Sequence, residues 1–312
     1  MKRIAFLFPG QGSQKVGMGR DLYKARQEAR DVFEAAEAAS GLPVKKLCFE
    51  GPMEELTQTV NLQPAVTAVN LALLAAIEKA GVTPAVSAGH SLGEYSALCA
   101  AKVVTPADAL RLVFERGRLM HREATANRGA MAAIVGLDME QVGKCVQQAG
   151  SMGKVSVANH NSPRQIVITG EPEAVKEAGR IASEAGARAI PLKVSGAWHS
   201  ELIAGAEKEF ADFLETIDFS PPGSPVIHNF SAAPEPDPAA IRQAMVKQLC
   251  NPVRWCESMQ KMAEMKIEIY VEIGPGRVLT GLLKKCLPQV DGAAVFNVSD
   301  LASLDRFLEA VA

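Results

Sequence analysis

The residue types best suited to covalent chemistry in this sequence sit in Gly89-His90-Ser91-Leu92-Gly93. A short apolar run, Pro84 to Ala88, precedes this pentapeptide and reads as a buried strand. An Ala- and Leu-rich segment, Glu94 to Ala101, follows and reads as a helix. A serine between two glycines at a strand-to-helix turn is the nucleophile-elbow pattern G-x-S-x-G. The turn is tight and strained, so the flanking residues must lack a bulky Cβ. The serine then stands at a helix N-terminus, where backbone N–H groups, including that of Leu92, are free to stabilise an oxyanion. A plain tight turn is the alternative reading of the same five residues.

A serine hydroxyl needs a base within hydrogen-bond reach. The chain has five histidines. His90 adjoins the serine on the turn and points elsewhere. His121 ends a helix, His160 falls in a loop, and His228 falls inside a short strand, Val226 to Phe230. His199 lies at a loop-to-helix junction in Val194-Ser195-Gly196-Ala197-Trp198-His199-Ser200 and is the best placed, with His228 second. No acid is an obvious third member.

One cation stands out. Thr105-Pro106-Ala107-Asp108 is a strong helix start, and Ala109, Leu112, Val113, Leu119 and Met120 then form one apolar stripe. Arg116 lies in the middle of that stripe, whereas Arg111, Arg118 and Arg122 face away from it. A charge on a buried face costs several kcal/mol unless an anion pairs with it. Arg116 is either half of an internal salt bridge or a two-pronged receptor for a substrate carboxylate.

The elements that must position these residues follow an α/β pattern. Ile4 to Phe8 is a continuous apolar run, typical of a central strand buried on both faces. The loop after it, Pro9-Gly10-Gln11-Gly12-Ser13-Gln14, lacks Walker A and G-x-G-x-x-G spacing and could donate a second oxyanion N–H. Gln63-Pro64 reads as the opening of a long helix to Ala80. After Asn127 the order becomes βαββαβ, with Val155 to Ala158 and Gln165 to Thr169 as strands joined by His160-Asn161-Ser162-Pro163. A helix from Glu201 to Leu214 and a strand from Ile267 to Ile273 come later. This pattern divides the chain into an α/β core, 1–126 and 198–312, with mainly parallel strands, and an inserted ferredoxin-like subdomain, 127–197.

Composition agrees. The chain has 312 residues, 48% hydrophobic and 22% charged, enough for a large core. A net charge of −2 gives no argument for nucleic acid or an acidic membrane surface. The six cysteines are scattered, with no C-x-x-C pair, and read as reduced core residues of a cytoplasmic protein. No signal peptide and no membrane span is expected.

Taken together, the sequence resembles the malonyl-CoA:acyl-carrier-protein transacylases of fatty acid synthesis and the related acyltransferase domains of polyketide synthases. The resemblance is carried by FPGQGSQ (Phe8 to Gln14), QPA (Gln63 to Ala65), GHSLGEYSAL (Gly89 to Leu98), RG (Arg116-Gly117) and NSPRQIVITG (Asn161 to Gly170). It continues in GAWHS (Gly196 to Ser200), NPVRW (Asn251 to Trp255) and EIGPG (Glu272 to Gly276). These run in order over nearly the whole chain.

The resemblance implies an α/β-hydrolase-like core and a Ser91–His199 dyad with no carboxylate third member. It implies that the backbone carbonyl of Gln248 orients His199, and that the N–H groups of Gln11 and Leu92 form the oxyanion hole. It assigns the malonyl carboxylate to Arg116, with Gln63 and His90 as further substrate-binding residues. Many malonyl-selective members read GAFH where this chain has Trp198, which keeps a large aromatic. The implied reaction moves malonyl from malonyl-CoA to acyl carrier protein, in fatty acid biosynthesis, by a monomer without metal or other cofactor. Lys193, Lys284 and Lys285 are candidate docking residues for an acidic carrier protein. A polyketide acyltransferase, the transacylase subunit of a malonate decarboxylase, an esterase or thioesterase, and a non-catalytic carrier-protein docking subunit, against which the intact Ser91, His199 and Arg116 argue, are the alternatives. An esterase would follow the order Ser, acid, His with an HGGG-type loop. That loop is absent, and His228 is the last histidine, leaving a long histidine-free tail of 84 residues.

Overall fold

In the computed structural model, which describes residues 2–288 and 292–312, the strand β1 (Ile4–Phe8) runs through the middle of the core. All five of its residues are apolar and buried. Ile4, Phe6 and Phe8 face one hydrophobic cluster and Ala5 and Leu7 the other, the period-two alternation of a strand packed on both sides. Strands β2 (Val86–Gly89), β7 (Val226–Ile227), β8 (Ile269–Ile273) and β9 (Ala294–Val298) complete a parallel sheet of order β7-β2-β1-β8-β9. Phe8 at the end of β1 is in register with Gly89 at the end of β2. The loops that leave these two strands therefore emerge side by side at the carboxyl edge of the sheet, where open α/β sheets bind ligands.

The second sheet is antiparallel, of order β4-β5-β3-β6, from β3 (Ala130–Val135), β4 (Val155–Ser162), β5 (Gln165–Gly170) and β6 (Arg188–Pro191). One of its faces, with Ala132, Ile134, Ile166 and Ile168, is covered by two helices, Met139–Ala149 and Pro172–Glu184. The other face, with Met131, Ala133, Ala158 and Val167, joins the main core. The chain enters and leaves this sheet at one point: a Cβ on Gly129 would lie 2.5 Å from the Cβ of Ala197.

Helices α1 (Thr59–Lys79), α2 (Gly93–Ala100) and α3 (Pro106–Ala126) pack together over the main sheet. The α3 start is as its sequence suggests, with Pro106 in the first turn and Thr105 Oγ1 accepting from the Asp108 N–H. Helix α1 is long and apolar enough to cross a membrane, but 83% of its most apolar window is buried inside the fold.

Five sequence expectations shift. Helix α1 opens at Thr59, and Pro64 lies inside it. The buried Thr59 and Leu62 ahead of the proline extend the packed face, which outweighs proline as a start signal. The segment from Glu201 begins as a 3₁₀ turn to Ala206 before the α-helix Glu207–Leu214. Strand β7 stops at Ile227, because His228 turns its N–H to the Ala233 carbonyl. Strand β4 runs on through His160 to Ser162 with irregular register, and the Asn159 position also bridges to Val253. His160 is thus a strand residue. Strand β8 begins at Ile269, two residues later than the apolar run.

Candidate active site

The elbow follows from contact distances. A Cβ on Gly89 would lie 1.9 Å from the Gly93 backbone, and one on Gly93 would lie 2.0 Å from the Phe8 carbonyl oxygen. Only glycine permits so close a return of the helix onto the strands. Ser91 takes φ 50° as a result. Its N–H donates to Asn229 Oδ1 at 2.7 Å, and Asn229 Nδ2 donates to the Gly89 carbonyl at 2.7 Å, so one side chain clamps both ends of the turn.

His199 meets the serine: Ser91 Oγ and His199 Nε2 are 2.8 Å apart. His199 Nδ1 donates to the Gln248 carbonyl oxygen at 2.9 Å, which leaves Nε2 as the acceptor for the serine proton. His199 is itself at φ 58°, so both members of the pair sit in the left-handed region. Such strain persists where surrounding structure over-determines it, commonly at reactive sites.

Arg116 is 1% exposed. Its Nη1 donates to Gln63 Oε1 at 3.0 Å, and its Nη2 donates to Gln248 Oε1 at 3.1 Å and to Ser91 Oγ at 3.2 Å. All three partners are uncharged. Its Nε has no partner among the described residues. Gln63 is held for this contact by donating to Thr59 Oγ1 at 3.0 Å. The other arginines of α3 pair with carboxylates at the surface: Arg111 with Asp108, Arg118 with Glu115, Arg122 with Glu123.

These groups line one cavity of about 100 Å³, with Gln11, Gln63, His90, Ser91, Leu92, Arg116 and His199 on its walls. The loop carrying Gln11 is pressed onto the elbow, since a Cβ on Gly10 would lie 2.5 Å from the His90 carbonyl oxygen. Leu92 is the N-cap of α2, where an N–H has no intrahelical acceptor. His90 takes a different role from the dyad: its Nε2 bonds Asn161 Oδ1 at 2.7 Å and its ring packs against Trp255. Met131, Leu192 and Val194 from the second sheet and its exit close the cavity, with Trp198 beside them. His228, the second candidate base, is buried against Glu94 rather than Ser91.

Sequence reasoning missed Asn229, Asn161 and Glu94. The first two face the site because β7 ends early and β4 runs long, and neither boundary has a residue-type signal. Glu94 sat in a quoted motif but on what reads as an ordinary helix start.

Burial pushes the His199 imidazole down to about 3, and the positive Arg116 adds to the effect. The ring is neutral, and ready to accept a proton, across the physiological range. The acid limb usually set by a histidine near pH 6.5 should therefore be missing. We expect kcat/KM for acylation, which reports the free enzyme, to stay flat from pH 8 to about 5. A limb at pH 6.5 would refute this environment for His199. The same depression makes folding less favourable as pH falls below 6.5, because the unfolded chain then takes up a proton that the folded ring refuses.

A family model for the acyl transferase domain matches residues 5–304. The chain belongs to the acyl transferase family. Within it, the chain is 45% identical to a malonyl CoA-acyl carrier protein transacylase of Bacillus subtilis, over 91% of this chain and 90% of that one. Among solved structures, it is similar to an acyl carrier protein S-malonyltransferase from Vibrio cholerae. That match has TM-score 0.92, 42% identity and coverage of 98% of this chain and 100% of the other. A malonyl-transacylase solved in complex with a type II PKS acyl-carrier protein matches with TM-score 0.94, 42% identity and coverage of 99% and 100%. Membership of this acyl transferase family also accounts for the α/β fold with a mainly parallel sheet.

Proposed function

We propose that the protein carries malonyl from malonyl-CoA to the phosphopantetheine thiol of acyl carrier protein, through a malonyl-Ser91 ester, in fatty acid biosynthesis. The observation that carries this reading is the placement of Arg116. A buried guanidinium without a charged hydrogen-bond partner among the described residues lies within 3.2 Å of the nucleophile oxygen, at the reach of a short dicarboxylate half-ester.

In the first half-reaction His199 Nε2 takes the Ser91 proton while Oγ attacks the thioester carbonyl. The oxyanion lies between the N–H groups of Leu92 and Gln11, and CoA leaves with the proton from His199. In the second, His199 takes the proton of the carrier thiol, the thiolate attacks the ester, and Ser91 leaves with that proton. These steps call on no metal or redox cofactor. Gln248 serves twice, by its carbonyl on His199 and by its side chain on Arg116. An esterase reading is disfavoured by the carbonyl, rather than carboxylate, behind His199. The direct test is transfer of labelled malonyl from malonyl-CoA to holo carrier protein. Hydrolysis without transfer would favour the esterase.

The strand order of the second sheet supports reading 127–197 as an inserted ferredoxin-like subdomain on an α/β-hydrolase-like core of 1–126 and 198–312. The inserted part narrows the cavity and keeps water from the acyl ester. The protein is taken to act as a cytoplasmic monomer.

Docking of the carrier protein is assigned to basic residues at the cleft between the two sheets. Lys193 and Lys284 are exposed, and exposed Lys285 donates to Gln165 Oε1 across that cleft. Transfer efficiency to an acidic carrier should fall as salt rises, because exposed charge pairs are screened over about 8–10 Å near physiological ionic strength. A kcat/KM for carrier protein that does not change with salt would exclude electrostatic docking.

A further inference from the structure

Glu94 is a buried carboxylate, 1% exposed, that the reaction as described does not use. It lies in the first turn of α2, one turn from the nucleophile. Its Oε2 accepts from Gln248 Nε2 at 2.6 Å and from the Asn229 N–H at 3.3 Å. Its Oε1 accepts from His228 Nδ1 at 2.8 Å. Gln248 thus stands between an anion and a cation. Its Nε2 faces Glu94 and the Ser91 carbonyl, at 3.0 Å, and its Oε1 faces Arg116 at 3.1 Å.

An amide in that position has one satisfactory orientation. The flipped orientation would set NH₂ against the guanidinium and C=O against the carboxylate, and each contact would be repulsive. The residue that carries this amide also holds His199 by its main-chain carbonyl. Through Asn229, whose N–H Glu94 accepts and whose Oδ1 takes the Ser91 N–H, the same carboxylate braces the elbow.

We infer that Glu94 is a positioning residue for the acyl transfer. It fixes the Gln248 amide so that its oxygen holds Arg116 in line with Ser91, and its negative charge, two hydrogen bonds away, tempers the hold of Arg116 on the substrate carboxylate. This rests on the malonyl reading of Arg116 given above.

Glu94→Gln keeps the shape and removes the charge. A glutamine has one oxygen for three donors, His228 Nδ1, Gln248 Nε2 and the Asn229 N–H, and turns its NH₂ against those the oxygen does not face. The Gln248 amide is then no longer fixed. The kcat for malonyl loading of Ser91 should fall roughly ten- to a hundredfold, the cost of losing one hydrogen bond to a charged group. KM for malonyl-CoA should stay the same or fall, because Arg116 loses a compensating negative charge. A residue that merely supports folding would not split the two constants in this way.

The decisive experiment is a double-mutant cycle of Glu94→Gln with Gln248→Ala, which retains the main-chain carbonyl. Loading is followed by single-turnover intact-mass measurement on folded enzyme. If Glu94 acts through the Gln248 side chain, the double variant is no slower than the slower single variant. Additive losses, an unchanged kcat in Glu94→Gln, or a raised KM with unchanged kcat would each overturn the inference. Should Glu94→Gln not fold, Glu94→Asp takes its place in the cycle, since it withdraws the carboxylate from Gln248 while keeping the charge. Wild-type enzyme is the control: failure of wild type to take up malonyl would refute the proposed function itself, not the role of Glu94.

Discussion

Ser91→Ala is expected to abolish malonyl transfer, with a loss on the order of a millionfold in kcat, as removal of a nucleophile from a serine–base pair produces. That factor corresponds to about 8 kcal/mol of transition-state stabilisation. Binding and the N–H groups of the cavity would remain, so the variant should still hold malonyl-CoA. The elbow should survive as well. The Gly89 and Gly93 contacts that shape it are made by backbone, and Asn229 clamps Ser91 by its N–H rather than its side chain. Alanine must adopt the φ near 50° that Ser91 already adopts, so the backbone strain is common to both and the melting temperature should change little. In wild type, malonyl-CoA without carrier protein should leave a malonyl-enzyme visible by intact mass. Peptide mapping should place the acyl group on Ser91. Its appearance on any other residue would defeat the assignment.

What could be read from the sequence is what sterics and periodicity write into residue types. The elbow glycines are legible because no other residue fits where a Cβ would meet backbone at 2 Å. Arg116 is legible because helical spacing puts it on a buried stripe, and the fold keeps it there at 1% exposure. His199 was placed by elimination and a family resemblance, not by spacing, since its contact with Ser91 spans 108 residues. The hydrogen bonds of Asn229 and Glu94 span 134 to 154 residues and leave no periodic trace. Proline in α1 and the long β4 were misjudged for a shared reason. In both, tertiary burial or pairing extended an element past a local stop signal, as packing routinely overrides propensity.

The choice of substrate should turn on Arg116. In the folded enzyme its guanidinium is buried, and burial pulls it below its ordinary range while Gln63, Gln248 and Ser91 supply only uncharged oxygens. A malonyl carboxylate would supply the missing charge in two-pronged geometry. Bound acetyl would displace water and return nothing, leaving a buried charge unpaired at a cost of about 3–5 kcal/mol. That range corresponds to roughly 10²–10⁴-fold in kcat/KM. Arg116→Ala should lose malonyl activity by this order and bring the malonyl-to-acetyl ratio toward one. The acetyl arm should gain for a second reason. Arg116 helps to depress His199, so its removal makes the base stronger. Arg116→Lys should recover only part of the preference, because an ammonium cannot span Gln63 and Gln248 while also gripping both carboxylate oxygens. A purely structural arginine would behave differently: Arg116→Ala would lower the melting temperature sharply and depress both substrates alike. The deciding measurement is the malonyl-to-acetyl ratio of kcat/KM in folded Arg116→Ala enzyme. A ratio equal to that of wild type would exclude a role for Arg116 in recognising the carboxylate.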